Sequence, residues 1–136
     1  MWKKKFLFLL LLQLIFILSY ESAKAKEYVI YSISQDVPMG YKGEKLRKNF
    51  HLTMGSDQGV QEGTLLDVFR MVSVFNPYKA NGQYSNYKLK VGELSVIQTD
   101  KEFSTANLHK FNKEEKAPIL EIEGFMIGDQ VEVHTE

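Results

Sequence analysis

Apolar and polar residues alternate along most of the chain after its first 25 residues, and this two-residue period predicts β-strands. Six segments show the alternation, with β-branched and aromatic residues prominent: 26–34, 48–54, 87–98, 105–111, 119–123 and 130–134. Glycine, proline and asparagine separate them, most densely in 35–43, 55–63, 76–86 and 112–118, as in turns and loops. Gly92 lies in the middle of its segment and predicts a bulge or a sharp bend.

The most apolar stretch of this region is 64–75, which is long enough for a helix. Its valines and phenylalanines and the preceding Gly63 favour a long or bent strand instead. In that strand Asp67 and Arg70 are the polar outward positions, and we interpret them as a surface ion pair.

Six or seven short strands with little helix predict an all-β domain, a small closed or partly open barrel that follows a signal peptide. We expect residues 26–136 to be one domain, with an N-terminal strand and loop at 26–47 and the barrel core at 48–136. Closure would hide strand edges in a protein without helical cover.

The first 25 residues have the pattern of an export signal. Three lysines at 3–5 precede an apolar run at 6–18, and Ala23 and Ala25 supply the small residues that signal peptidase reads. We expect cleavage after Ala25 and a periplasmic or secreted protein that begins at Lys26. The alternative is an uncleaved segment that anchors the chain in the inner membrane through residues 6–20, and only then is a membrane a partner.

The net charge bears on which partners the chain can bind, and the cysteine content bears on its compartment. The whole chain has 17 basic and 17 acidic residues, and removal of residues 1–25 takes four lysines and one glutamate, which leaves a net charge of −3. We therefore expect no nucleic-acid partner, because phosphate backbones require a basic excess. Cysteine is absent, which excludes disulfides and thiolate chemistry and favours a bacterial periplasm.

A ten-residue pattern occurs twice, as GVQEGTLLDV at 59–68 and as GFMIGDQVEV at 124–133. In each copy an apolar residue after the first glycine would enter the core, the second glycine would take a conformation that resists a side chain, and a strand would follow. The two copies predict similar corners of the fold.

The spaced glycines at 55–63 invite a phosphate-loop interpretation, but the Gly-Lys-Ser/Thr ending and the Gly-x-Gly-x-x-Gly motif are both absent. We interpret the glycines as structural turn residues, and the same role is expected for those at the other bends: Gly55, Gly59, Gly63, Gly92, Gly124 and Gly128.

No residue set points to catalysis, and we expect no catalytic residue, no cofactor and no metal. The histidines, His51, His109 and His134, lie in different predicted strands, so a metal site between three strands is the less favoured alternative. Carboxylates are scattered, and none forms the pair with opposed environments that a hydrolase needs.

The segment 75–87 concentrates tyrosine, asparagine and serine, a composition that is typical of recognition loops. The candidate partner-binding residues are Phe75, Tyr78, Tyr84 and Tyr87. The alternative interpretation is a long hairpin whose tyrosines pack on the rim of the barrel.

Three blocks occur in order: FHLTMGSDQGVQEGTLLDVFR, KVGELSVIQTDKEFSTANL and FMIGDQVEV. This order resembles the small β-barrel at the C-terminus of flagellar assembly protein T and similar bacterial envelope modules, over residues 48–133. The resemblance implies a periplasmic structural or assembly role with protein partners and no catalysis.

We therefore expect a non-catalytic periplasmic protein-interaction or structural module, in envelope or flagellar assembly, with envelope proteins as partners. The alternative is a small periplasmic ligand-binding protein, or an enzyme whose site the sequence does not reveal.

Overall fold

A computed structural model describes residues 1–18, 26–113, 119–120 and 122–136. It contains one helix, one short 3₁₀ turn at Ser56–Gln58 and six strands. The helix and strands are α1 (Trp2–Leu18), β1 (Ile30–Gln35), β2 (Lys48–Leu52), β3 (Leu65–Asn76), β4 (Gln83–Thr99), β5 (Ser104–Phe111) and β6 (Gln130–Val133). The all-β prediction for the region after residue 26 is confirmed.

The six strands form one antiparallel sheet in the order β1-β2-β5-β4-β3-β6. The sheet is not closed into a barrel, so the closed form of the prediction is wrong. Its edge strands β1 and β6 meet only where each begins, through a single bridge between Val29 and Gln130. β6 has only four residues, which leaves the rest of β1 without a neighbour on that side among the described residues.

The core lies on one face of this sheet and is made of aliphatic and aromatic side chains from all six strands and from the two glycine-rich corners. Its members are Ile30, Phe50, Leu52, Met54, Val60, Leu66, Val68, Val91, Leu94, Val96, Ala106, Phe125 and Val131. The strand prediction for 64–75 is thereby confirmed, because Leu66 and Val68 are fully buried while the intervening Asp67 faces the other side.

The two copies of the ten-residue pattern form matching corners. Val60 and Phe125, the apolar residues after each first glycine, are buried in the core. The second glycines, Gly63 and Gly128, have φ of 85° and 94°, and their N–H groups donate to the backbone carbonyls of buried core residues of neighbouring strands. A strand follows each corner, as predicted.

At two other positions only glycine fits, because a side chain would collide with neighbouring atoms. A side chain on Gly92 would meet the carbonyl oxygen of Lys110 and the ring of Phe125, and a register shift beside it confirms the predicted bulge. Gly55 has an extended backbone, and a Cβ there would lie 2.7 Å from the carbonyl carbon of Lys101.

Some predictions for the rest of the chain are corrected or fall outside the described residues. The strand predicted at 119–123 is wrong at its described positions, which have no strand structure, and residue 121 lies outside the description. Most of the predicted loop at 112–118 also lies outside it, as do Ala23 and Ala25 of the predicted cleavage site. Over the described ranges, no helix has both the length and the apolar character needed to cross a membrane.

Candidate functional site

The outer part of the β3–β4 hairpin leaves the sheet and projects from it. β6 pairs with β3 only as far as Phe69, and β5 pairs with β4 only from Gly92 onward. From Arg70 to Leu89 the two strands pair with each other alone among the described residues. We call residues 70–89 the ribbon. Its connecting turn is shorter than the predicted loop at 76–86, because the strands continue to Asn76 and resume at Gln83.

All four candidate partner-binding residues lie on the ribbon, and all four are exposed. Phe75 lies on β3, Tyr84 and Tyr87 lie on β4, and Tyr78 lies in the turn with 97% of its surface exposed. The rings of Phe75 and Tyr84 pack edge to face with centroids 5.5 Å apart. None of the four belongs to the described core.

The ribbon has two faces, and the three aromatic residues on its strands are divided between them. Phe75 and Tyr84 are cross-strand partners and share one face with the Ser73–Asn86 pair, whose Ser73 hydroxyl donates to the Asn86 side-chain oxygen at 2.7 Å. Tyr87 pairs with Val72 on the other face, which continues the core face of the sheet into solvent.

A buried ion pair fixes the base of the ribbon. The Arg70 guanidinium donates two hydrogen bonds to the Asp129 carboxylate, at 2.8 and 2.7 Å, and these side chains are only 11% and 2% exposed. Arg70 also donates to the backbone carbonyls of Ile122 and Gly124, both at 2.6 Å. The second glycine corner is therefore held against β3 at the point where the ribbon leaves the sheet.

The predicted pairing of Asp67 with Arg70 is wrong. Residues three apart on a strand lie on opposite faces. Arg70 faces the core side and binds Asp129, whereas Asp67 faces the outer side and binds Lys90 and His134.

Acidic residues form a row across the outer face of the sheet. Glu132 on β6, Asp67 on β3 and Glu93 on β4 occupy matching register positions, and Lys110 on β5 continues the row. Like charges directly across a sheet are destabilising unless they are neutralised. Here Lys90 Nζ lies 2.9 Å from an Asp67 oxygen and 3.1 Å from a Glu93 oxygen.

Further cations complete the neutralisation of this row. Lys110 Nζ lies 3.2 Å from Glu93, whose side chain is only 5% exposed. Lys88 reaches over the ring of Phe69 and pairs with Glu132. The lysines thus offset the repulsion that the row of carboxylates would otherwise create.

These contacts shift the pKa values of three ionisable residues in and beside the row. Burial acts to raise the pKa of Asp67, but hydrogen bonds from Lys90 and His134 outweigh it and hold that pKa below its ordinary value. Burial acts in the same way on Glu93, and Lys90 and Lys110 lower its pKa. The hydrogen bond to Asp67 raises the pKa of Lys90 despite its burial.

Asp67, Glu93 and His134 are the set of potential metal ligands that the described residues bring together, with ligand atoms within 4.8 Å of one another. The Lys90 ammonium already bonds to both carboxylates of the set and Lys110 to Glu93, so two cations of the protein's own balance their charge. The three histidines do not form a common site. His51 and His134 bind different residues, and His109 is exposed on β5.

A second polar cluster surrounds His51 on the other half of the sheet. Its Nε2 lies 2.8 Å from the Ser34 hydroxyl, and its Nδ1 lies 3.1 Å from the Thr105 hydroxyl. His51 lines a cavity of about 280 Å³ with Tyr31, Phe103 and polar side chains. Ser104 also borders this cavity, and its buried hydroxyl has no hydrogen-bond partner among the described residues.

Sequence reasoning located the exposed aromatic residues but missed the ionic clusters. Asp67 and Glu93 are 26 positions apart, and only the register of β3 against β4 brings them together. For Asp129 the sequence held one indication of a structural role, which is its position directly after the second glycine of a predicted corner.

No model of a known protein family matches this chain, and none of the curated proteins matches it in sequence.

Proposed function

We propose that this chain is a non-catalytic protein-interaction module of the bacterial periplasm that binds envelope proteins through its ribbon. The proposal rests on one observation. The ribbon is a two-stranded projection with four exposed aromatic side chains, and it extends beyond the residues at which β6 and β5 pair with its strands. Exposed aromatic side chains on a projection lower the solubility of a protein, so their presence indicates a use. Large aromatic side chains supply most of the binding energy of protein interfaces.

The charge of the ribbon is consistent with this role. Residues 70–89 include one arginine and two lysines and no acidic residue. Arg70 and Lys88 are paired with acidic residues of the sheet, so the tip presents aromatic rings and Lys79. A surface of this kind fits an uncharged or acidic patch on a protein partner.

The place of action rests on the N-terminal segment and on the resemblance. Lysines 3–5, the apolar run and the small residues Ala23 and Ala25 support export. The resemblance to the C-terminal β-barrel of flagellar assembly protein T supports an assembly role, and flagellar assembly is the specific process that we propose within it.

Site-specific photocrosslinking in the envelope tests the proposal. A photoreactive phenylalanine analogue replaces Tyr78 in the full chain, and the matched control carries it at Tyr41, which is 73% exposed in the loop between β1 and β2. We expect a discrete adduct with another envelope protein at position 78 and none at position 41. Equal adducts at both positions, or none at 78, would contradict docking through the ribbon.

A second candidate function, small-ligand binding, has one observation in its favour. The cavity beside His51 combines aromatic side chains with polar groups, and the buried Ser104 hydroxyl next to it lacks a partner among the described residues. Native mass spectrometry of protein purified from the envelope distinguishes the two functions. A small molecule retained by the wild type and lost from His51→Ala would favour the second.

A further inference from the structure

The ribbon has two backbone edges that no other described strand covers, one on β3 and one on β4, and the β3 edge is the one without charged residues over 71–76. The His134 N–H donates to the Leu65 carbonyl, so the backbone groups of odd-numbered β3 residues point toward β6. β6 ends its pairing at Phe69. The same alternation therefore directs the N–H and C=O groups of Met71, Ser73 and Phe75 outward, where no other described strand binds them.

This β3 edge lacks the features that usually prevent edge-to-edge association. Residues 71–76 read MVSVFN and contain no charge, no proline and no glycine. Natural edge strands are commonly protected by lysine, proline or a bulge. The opposite edge of the ribbon, on β4, carries Lys88, and its base is capped by the Asn112 side chain, which donates to the Lys90 carbonyl.

We infer that the β3 edge pairs with the same edge of a second copy of this chain, antiparallel and around a two-fold axis through Ser73. Self-pairing brings no like charges together, because the edge has none, whereas the β4 edge would place lysines near lysines. The proposed register sets Met71 opposite Phe75 of the second copy on one face. On the other face it sets Val72 opposite Val74, so both faces match apolar side chains.

The register also fixes where the paired strands end, because Pro77 of the second copy would fall opposite Phe69 and the chain must turn away there. In this register Asn76 of the second copy lies opposite Arg70, and the next position on β3, Phe69, is already paired with Gln130 of β6. The strand of the second copy therefore continues the row that β6 begins. The four strands of the two ribbons would then form one sheet.

The size of the contact determines its strength. A six-residue strand is about 20 Å long, which gives an interface smaller than the roughly 800 Å² per partner of a standard complex. We therefore expect a reversible dimer with Kd on the order of micromolar. The inference goes beyond the proposed function, and it can fail while binding of another protein through Tyr78 holds.

Cysteine crosslinking of the full chain tests the inference, because the chain has no cysteine of its own. In the proposed register the two Ser73 Cα atoms lie about 5.5 Å apart, within disulfide range. We expect purified Ser73→Cys protein to form a disulfide-linked dimer under mild oxidation. Asn86→Cys is the matched control, since Asn86 is the cross-strand partner of Ser73 on the protected edge. Equal crosslinking of the two variants, or none with Ser73→Cys, would overturn the inference.

A second pair of variants tests the backbone bonds. Ser73→Pro and Ser73→Ala both lose the hydrogen bond to Asn86, but only proline also loses the outward N–H group. Analytical ultracentrifugation of both full-length variants in the same detergent measures the dimer Kd. We expect the Kd of Ser73→Pro to be at least tenfold higher than that of Ser73→Ala. Equal Kd values with unchanged circular dichroism would overturn pairing through this edge.

Discussion

At the scale of single residues, the two glycine corners show how far a short pattern predicts structure. The apolar residue after each first glycine is buried, as its position suggested, and the second glycines have the expected positive φ. In contrast, the partners of Asp67 and Arg70 could not be found from their spacing. Their separation of three places them on opposite faces, and their partners come from distant parts of the chain.

The corners give a prediction at this scale. Gly59→Val and Gly63→Val should each lower the free energy of unfolding by about 1–3 kcal/mol, because a β-branched residue is strained at φ near 80°. No atom lies within 4 Å of a Cβ at either position, so the cost comes from the backbone and not from crowding. Urea unfolding measures it, and Gly59→Asn and Gly63→Asn are the controls, since asparagine tolerates this conformation better. Equal stability of the valine variants and the wild type would refute this explanation.

At the scale of elements, strands were easier to predict than the contacts between them. Alternation located β4 and β6, whereas the valine and phenylalanine content of 64–75 located β3, in which Leu66 and Val68 are buried. The segment 119–123 has the same alternation but no strand at its described positions, since alternation alone does not supply a neighbouring strand to pair with. The row of carboxylates was not predictable, because it depends on the relative register of four strands.

This row should make stability depend on pH and on Lys90. Asp67 and Glu93 have pKa values below their ordinary 3.8 and 4.5. Their contribution is therefore complete above those ordinary values and is lost as the pH falls through the lower folded-state values. We expect Lys90→Met to reduce the free energy of unfolding by roughly 2 kcal/mol at pH 7, because the two carboxylates lose a shared cation while Lys110 remains near Glu93.

Urea unfolding between pH 7 and pH 3 checks this dependence for both proteins. The difference between wild type and Lys90→Met should shrink toward pH 3, as protonation of the carboxylates removes the attraction to Lys90. Exposed Lys101→Met serves as a control that removes a lysine outside the row. A difference that stays constant over the whole range would show that Lys90 acts through packing and not through charge.

At the scale of the whole molecule, composition and periodicity predicted the class of fold but not its closure. Whether a sheet closes depends on the lengths of its edge strands, and β6 has four residues while β1 has six. The aromatic segment was predicted as a loop, whereas Phe75, Tyr84 and Tyr87 continue two strands beyond the sheet. Its sequence alternates too weakly to reveal strands that lack a core to cover.

The claim that the ribbon is a docking element is tested most directly by one binding measurement, made with the protein that photocrosslinking at position 78 identifies. The account predicts that Tyr78→Ala with Tyr84→Ala weakens binding of that protein more than tenfold, because each aromatic anchor contributes about 2 kcal/mol. The thermal midpoint and the far-ultraviolet spectrum should stay nearly unchanged, since neither tyrosine contributes to the described core. A folded double variant that binds with wild-type affinity would contradict the account.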